Sequence, residues 1–175
     1  MNFNIDTKER SSQIELMDDF SVEGNLLRES LDSLANINKW LGGNFVTLNG
    51  LKKVLKGHEK SKPLTILDMG CGNGDMLREL AKFGKKARYN FTLIGIDANQ
   101  HTVDYAKELS VNYPEISYLK QDVFSEKFQH LQYDLVLATL FLHHFSEDAI
   151  VKLLAPILKK ASLGIIVNDL NRNKI

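Results

Sequence analysis

The sequence predicts an α/β protein, a doubly wound and mostly parallel sheet that follows an all-helical N-terminal segment. The sheet is read from five short apolar runs, at residues 64–68, 91–97, 116–119, 133–138 and 164–169, each bounded by turn residues. Runs of this length suit strands buried on both faces. Helical periodicity fills the gaps between them, as the crossovers of a parallel sheet require. A third sign is chemical. The first two runs end in Asp68 and Asp97, and Asp122 follows the third.

Residues 1–63 hold no strand-like run and read as helices with a connector. A short helix is expected around residues 12–18. Over residues 22–41, Leu27, Leu31, Leu34, Ile37 and Leu41 recur at spacings of 4, 3, 3 and 4, one stripe on one helical face. Gly42-Gly43 stops that helix, because glycine takes the left-handed cap conformation cheaply. Asn44 is then a good cap for a helix carrying Phe45, Leu48, Leu51 and Leu55 on one side and ending near Gly57. Residues 57–62 form a polar connector closed by Pro63. After the first strand, helices are expected over 75–83, 99–112 and 147–161. Between the third and fourth strands, residues 123–132 leave room only for a short helix or none. Pro156 removes one backbone donor inside the last pattern, so a kink or break is expected there.

Charge excludes several functions. Lys plus Arg and Asp plus Glu both number 22, and residues 1–60 carry 8 basic and 9 acidic side chains. The basic footprint of a nucleic-acid binder is therefore absent. The single cysteine, Cys71, rules out an intramolecular disulfide and any multi-Cys metal site, so no metal is expected. The polar N-terminus lacks a signal-peptide core, and no stretch approaches the roughly 20 apolar residues of a membrane span. These features fit a cytoplasmic protein.

The strongest motif is Asp68-Met69-Gly70-Cys71-Gly72-Asn73-Gly74, directly between a strand and a helix. Glycines there let the backbone approach a ligand, and the helix start offers free N–H groups. A dinucleotide fingerprint needs G-x-G-x-x-G, but the position of its third glycine is Asp75, so the pattern is G-x-G-x-G. A carboxylate at Asp68 suits an ammonium or sulfonium cation better than a pyrophosphate. Asp97 can accept both ribose hydroxyls of a nucleoside. Asp122 can accept from an exocyclic amine such as that of adenine. Any one of these could be a turn or cap residue. Three acids in register after three strands, together with the glycine loop, favour a ligand edge.

The set resembles the class I S-adenosylmethionine-dependent methyltransferases. Residues 68–74 resemble their first motif, Gln121-Asp122-Val123 the adenine-side motif, and residues 133–139 the fourth-strand motif. The resemblance implies a Rossmann-like domain over 64–175 that holds S-adenosyl-L-methionine through Asp68, Gly70, Cys71, Gly72, Asp97, Ala98, Asn99, Asp122, Val123 and Thr139. It implies a helical cap or lid with its connector over 1–63. Segments 15–19, 37–43, 140–145 and 167–172 are similar to bacterial small-molecule methyltransferases associated with type III polyketide synthases. Phenolic, polyketide-like or quinone-like acceptors are implied. His143, or alternatively its neighbour His144, follows the fourth strand and could take a proton from an acceptor hydroxyl. Adjacent residues point apart, so at most one of them should face the pocket. Trp40 either lines the substrate side or packs at a helix end. Cys71 is expected to be a small residue beside the cofactor, with nothing nearby to activate it. The alternatives are a non-catalytic S-adenosylmethionine-binding module or partner subunit and, disfavoured by the missing glycine, an NAD(P)-dependent oxidoreductase.

The resembled family has seven strands, whereas 112 residues after position 63 accommodate five. The domain is therefore expected to lack the C-terminal hairpin. That would leave the fifth strand's edge open to pairing with another chain as an oligomer.

Overall fold

The computed structural model describes residues 23–170. The expected helix at 12–18, the 15–19 segment and the residues beyond Leu170 lie outside the described part. Two helices, α1 (Gly24–Trp40) and α2 (Gly43–Val54), precede the sheet. The rest alternates as expected: β1 (Leu64–Met69), α3 (Asp75–Ala87), β2 (Phe91–Asp97), α4 (Gln100–Leu109), β3 (Ile116–Lys120), α5 (Glu126–His130), β4 (Leu135–Thr139), α6 (Glu147–Lys160) and β5 (Gly164–Asn168). All four pairings are parallel, in the order β3-β2-β1-β4-β5. The order reverses between β1 and β4, so the loop after β1 opens at the switch point where such sheets bind ligands.

Side chains of the central strands alternate between two cores. Leu64, Ile66, Leu93, Leu135 and Leu137 meet α2, α3 and α4 through Leu51, Leu55, Leu77, Leu80 and Val103. Leu67, Met69, Ile96, Val136 and Ala138 meet α5 and α6 through Phe128, Leu153 and Ile157. The expectation that every strand is buried on both faces holds for β1 and β4. In β3, only Tyr118 is fully buried, and β5 is half-buried, because both are edge strands. No helix among the described residues is long and apolar enough to cross a membrane.

The N-terminal helices depart most from expectation. Leu27 and Leu31 are buried with Tyr105, but Leu34, Ile37 and Leu41 are exposed, so only the first half of the stripe packs. Gly42, at φ +80°, caps α2 in place of Asn44, which lies buried inside the helix. Asn44 instead accepts from Asn38 at 2.7 Å and donates to Asp75 at 3.0 Å, joining α1, α2 and α3. Phe45 is 65% exposed, whereas Leu51 is fully buried. Helix α2 packs over β5, with Gly50 against Ile166 and Leu51 in the core. Helix α6 runs through Pro156 without a break. Pro156 is exposed, so the Lys152 carbonyl it cannot satisfy lies on the solvent side.

Candidate functional site

The site is built on the carboxyl ends of β1, β2, β4 and β5. The loop leaving β1 turns on Gly70, Gly72 and Gly74, at φ +66°, +52° and +77°, values that side-chain-bearing residues rarely adopt. Gly74 caps α3, and a Cβ there would run into the Tyr118 hydroxyl. A Cβ on Gly70 would run into the Phe141 ring, whereas Gly72 has only Leu31, 3.6 Å away. The Cys71 N–H donates to the Ile96 carbonyl at 3.0 Å, tying the loop to β2. From α1, Asp32 accepts from Asn73 at 2.9 Å and from the Tyr105 hydroxyl at 2.7 Å, fastening α1 to the loop and to α4.

The acids form a staircase rather than a row. In the parallel register Asp68 pairs with Gly95, so Asp97 lies two residues further along its strand and pairs with Lys120. Asp122 lies two residues further again. The expectation of three acids in register is corrected to a diagonal, with steps of roughly 6–7 Å.

Burial differs along this diagonal. Asp68 is 2% exposed, and burial, then Asp75 and Asp97, push its carboxyl well above the usual range. Burial pushes the Asp97 carboxyl up to about 6, against the pull of N–H donors from Asn99, Gly72 and Ala98. The Asn99 N–H lies 3.0 Å from its Oδ1. Asp122 is exposed, and its Oδ1 accepts the Phe124 N–H of its own turn at 2.9 Å. Asn99 caps α4 by accepting the His101 N–H at 2.8 Å. Ala98 is half-buried in the same turn, and Val123 is buried in the core shared with α5 and α6. Burial, then Asp97 and Asp68, push the Cys71 thiol well up, so it stays protonated and is no nucleophile.

At β4 and β5 the side chains are joined. Thr139 Oγ lies 3.4 Å from the Thr47 hydroxyl of α2, and Asn168 Nδ2 donates to that hydroxyl at 3.1 Å and to the Gly43 carbonyl at 2.9 Å. Leu140 follows at φ +50°, a strained value for a non-glycine residue, with its N–H on the Asn168 carbonyl at 2.8 Å. Next comes a 3-10 turn, Leu142–His144. Within it the two histidine rings do not point apart: their centroids are 4.1 Å apart. His143 Nδ1 lies 2.7 Å from Asp169 Oδ1. Trp40 ends α1 and is 89% exposed, so the packing alternative is not met.

Sequence reasoning missed Asp169, Asp75 and Phe141. Asp169 ends the fifth apolar run as Asp68 and Asp97 end theirs, a signal that was available. Phe141 on Gly70 and Asp75 beside Asp68 depend on tertiary packing.

The chemistry of the donor set fits a cationic nucleoside. The buried Asp68 carboxyl is pushed up by burial and by Asp75 and Asp97, the half-buried Asp97 carboxyl by burial, and a bound cation nearby would favour the ionised form of each. At Gly72, where a Cβ would meet only Leu31, the loop backbone is open to close approach, whereas Gly70 and Gly74 are covered by Phe141 and Tyr118.

Comparisons with known proteins agree. The methyltransferase domain family matches residues 66–161. Among solved structures, the plantazolicin methyltransferase BpumL in complex with SAH is 25% identical, with a TM-score of 0.62 over 85% of this chain and 55% of that one. The DszA carbon methyltransferase is 16% identical, with a TM-score of 0.64 over 80% of this chain and 39% of that one. Coclaurine N-methyltransferase, bound to N-methylheliamine and SAH, is 20% identical, with a TM-score of 0.52 over 69% and 35%. The last two show the fold alone. This chain spans about half the length of the BpumL structures. No curated protein sequence matches it.

Proposed function

This chain belongs to the methyltransferase domain family, and from that premise we propose that it transfers a methyl group from S-adenosylmethionine to a small-molecule acceptor. The observation that carries the reading is the pair of carboxyls, Asp68 buried and Asp97 half-buried and both pushed up by burial, around a left-handed glycine loop at the switch point. S-adenosylmethionine, when bound, supplies an already activated methyl on a cationic sulfur. The chain's own residues then bind and align, which is most of what such a reaction needs. Gly70, Cys71 and Gly72 present backbone to the cofactor, with Asp68 facing its positive end. Asp97 accepts the ribose hydroxyls, with Ala98 and Asn99 shaping that turn. Asp122 and Val123 lie on the adenine side, and Thr139 lines the floor at β4. His143 takes the proton of an acceptor hydroxyl, with His144 as the alternative.

The acceptor we propose is phenolic, polyketide-like or quinone-like. The exposed Trp40, Leu41 and Phe45 support this by offering an apolar surface where α1 meets α2. Natural-product methyltransferases among the solved relatives support it as well. A non-catalytic S-adenosylmethionine-binding subunit would use the same cofactor residues.

Calorimetry on the full chain with S-adenosylmethionine, its demethylated product SAH and NAD tests the cofactor. Binding of the first two and not of NAD is expected, and no binding of either would sink the reading. Methyl transfer to a panel of phenols, acids and amines then separates an enzyme from a binding subunit.

A further inference from the structure

We propose that Asp169 is a positioning residue for methyl transfer, holding His143 in a single ring orientation and a single tautomer. This rests on the reading of His143 as the acceptor's base. Asp169 stands one residue beyond β5, and its two oxygens grip one residue. Oδ2 accepts the His143 backbone N–H at 3.1 Å, while Oδ1 lies 2.7 Å from ring Nδ1. The side chains are only 12% and 14% exposed, so water competes little for this pair. A two-point grip fixes both the turn and the ring that projects from it.

The rest of the edge holds the pair in place. The Leu140 N–H on the Asn168 carbonyl locks the end of β4 to the end of β5, three residues before His143 and one before Asp169. Phe141, two residues before His143, rests on Gly70, which brings this turn beside the glycine loop. Burial pushes the Asp169 carboxyl up, but the Leu170 N–H and the His143 ring outweigh it and hold it below the ordinary range. An ionised carboxylate only accepts hydrogen bonds, so a neutral His143 must carry its proton on Nδ1. Its basic nitrogen is then Nε2. In the proton step the acceptor's O–H bond breaks, its electron pair stays on oxygen, and the proton bonds to Nε2. The imidazolium charge so formed lies against the Asp169 carboxylate.

The two residues are 26 positions apart, and neither predicts the other in sequence. Long-range 1H–15N spectra of the imidazoles in the full chain at pH 8.5, assigned with His143→Gln, test the pairing. Wild-type His143 should show the Nδ1–H tautomer. Asp169→Asn should shift it to Nε2–H, because the amide can donate to Nδ1. The same variant should bind SAH within about twofold of wild type, yet lose about 10²- to 10⁴-fold in kcat towards whichever phenol of the panel is methylated, with KM for S-adenosylmethionine little changed. A His143 tautomer that is Nε2–H in wild type, or unaltered in Asp169→Asn, overturns the proposal. So does an unaltered kcat. Failure of wild type to bind SAH overturns the methyltransferase reading instead, and the tautomer result still decides whether Asp169 orients His143.

Discussion

Replacing Asp97 by Asn should stabilise the unliganded protein at neutral pH while weakening its hold on the cofactor. Asn is nearly isosteric and keeps one oxygen to accept the Asn99 N–H, so the change removes the charge and, where the amide nitrogen faces the Gly72 or Ala98 N–H, part of that donor set. The folded carboxyl titrates at about 6, against 3.8 for an ordinary aspartate, because burial disfavours the ionised form. At about 1.4 kcal/mol per pH unit, ionised Asp97 costs the fold about 3 kcal/mol. The sign follows from proton binding. Between pH 3.8 and 6 the folded state holds a proton that the unfolded state has lost, so stability falls as pH rises through that window. Above it the whole cost is present, and below about pH 3.5 it is absent. Urea unfolding of both proteins at pH 3.5, 5 and 7.5 should therefore show an advantage of Asp97→Asn that grows to about 2–3 kcal/mol and then levels off. Calorimetry at pH 7.5 should show SAH affinity falling about 10- to 100-fold, since a neutral amide accepts from ribose hydroxyls more weakly than a carboxylate. A variant less stable than wild type by the same amount at every pH would refute the reasoning. It would mean that the backbone donors, and not desolvation, decide the energetics of this carboxyl.

Two comparisons test the packing by urea unfolding. Gly74→Ala forces a side chain onto φ +77° and into the Tyr118 hydroxyl, itself 2.8 Å from Ser110, and should cost about 2–4 kcal/mol. Gly72→Ala meets only Leu31 and should cost about 1–2 kcal/mol while still weakening SAH binding; equal losses at the two sites would contradict the described contacts. Leu51→Ala should cost about 2–5 kcal/mol, because the fully buried side chain leaves a cavity in the core, whereas Phe45→Ala, at the exposed start of α2, should stay within about 0.5 kcal/mol. Similar small effects for both would mean that α2 behaves as a detachable cap.

By itself, the sequence determined the order and type of the described elements from α1 to β5, and it pointed to one edge of the sheet. These properties are local. A period of two or 3.6, a glycine loop between a strand and a helix, and an acid at a strand end are all written within a few residues of the feature they specify. Hence the β2 limits agree with the apolar run, and the short α5 appears in the one gap too small for a longer helix. Where periodicity failed, tertiary context had won. Leu34, Ile37, Leu41 and Phe45 fit an apolar stripe but stay exposed, and in α1 only the first half of the stripe, Leu27 and Leu31, is buried, with Tyr105 of α4.

Only the tertiary structure decided relations between distant segments. Parallel register turned the supposed row of acids into a diagonal, since pairing is set by how whole strands align and not by where each one ends. Asn44 became a joint between three helices because Asn38 and Asp75 happen to converge on it. The His143–Asp169 pair exists because β4 and β5 are neighbours whose ends the Leu140–Asn168 bond holds together. A contact between residues far apart in the chain leaves no periodic trace, and the free energy that makes it comes from the packing of the whole sheet.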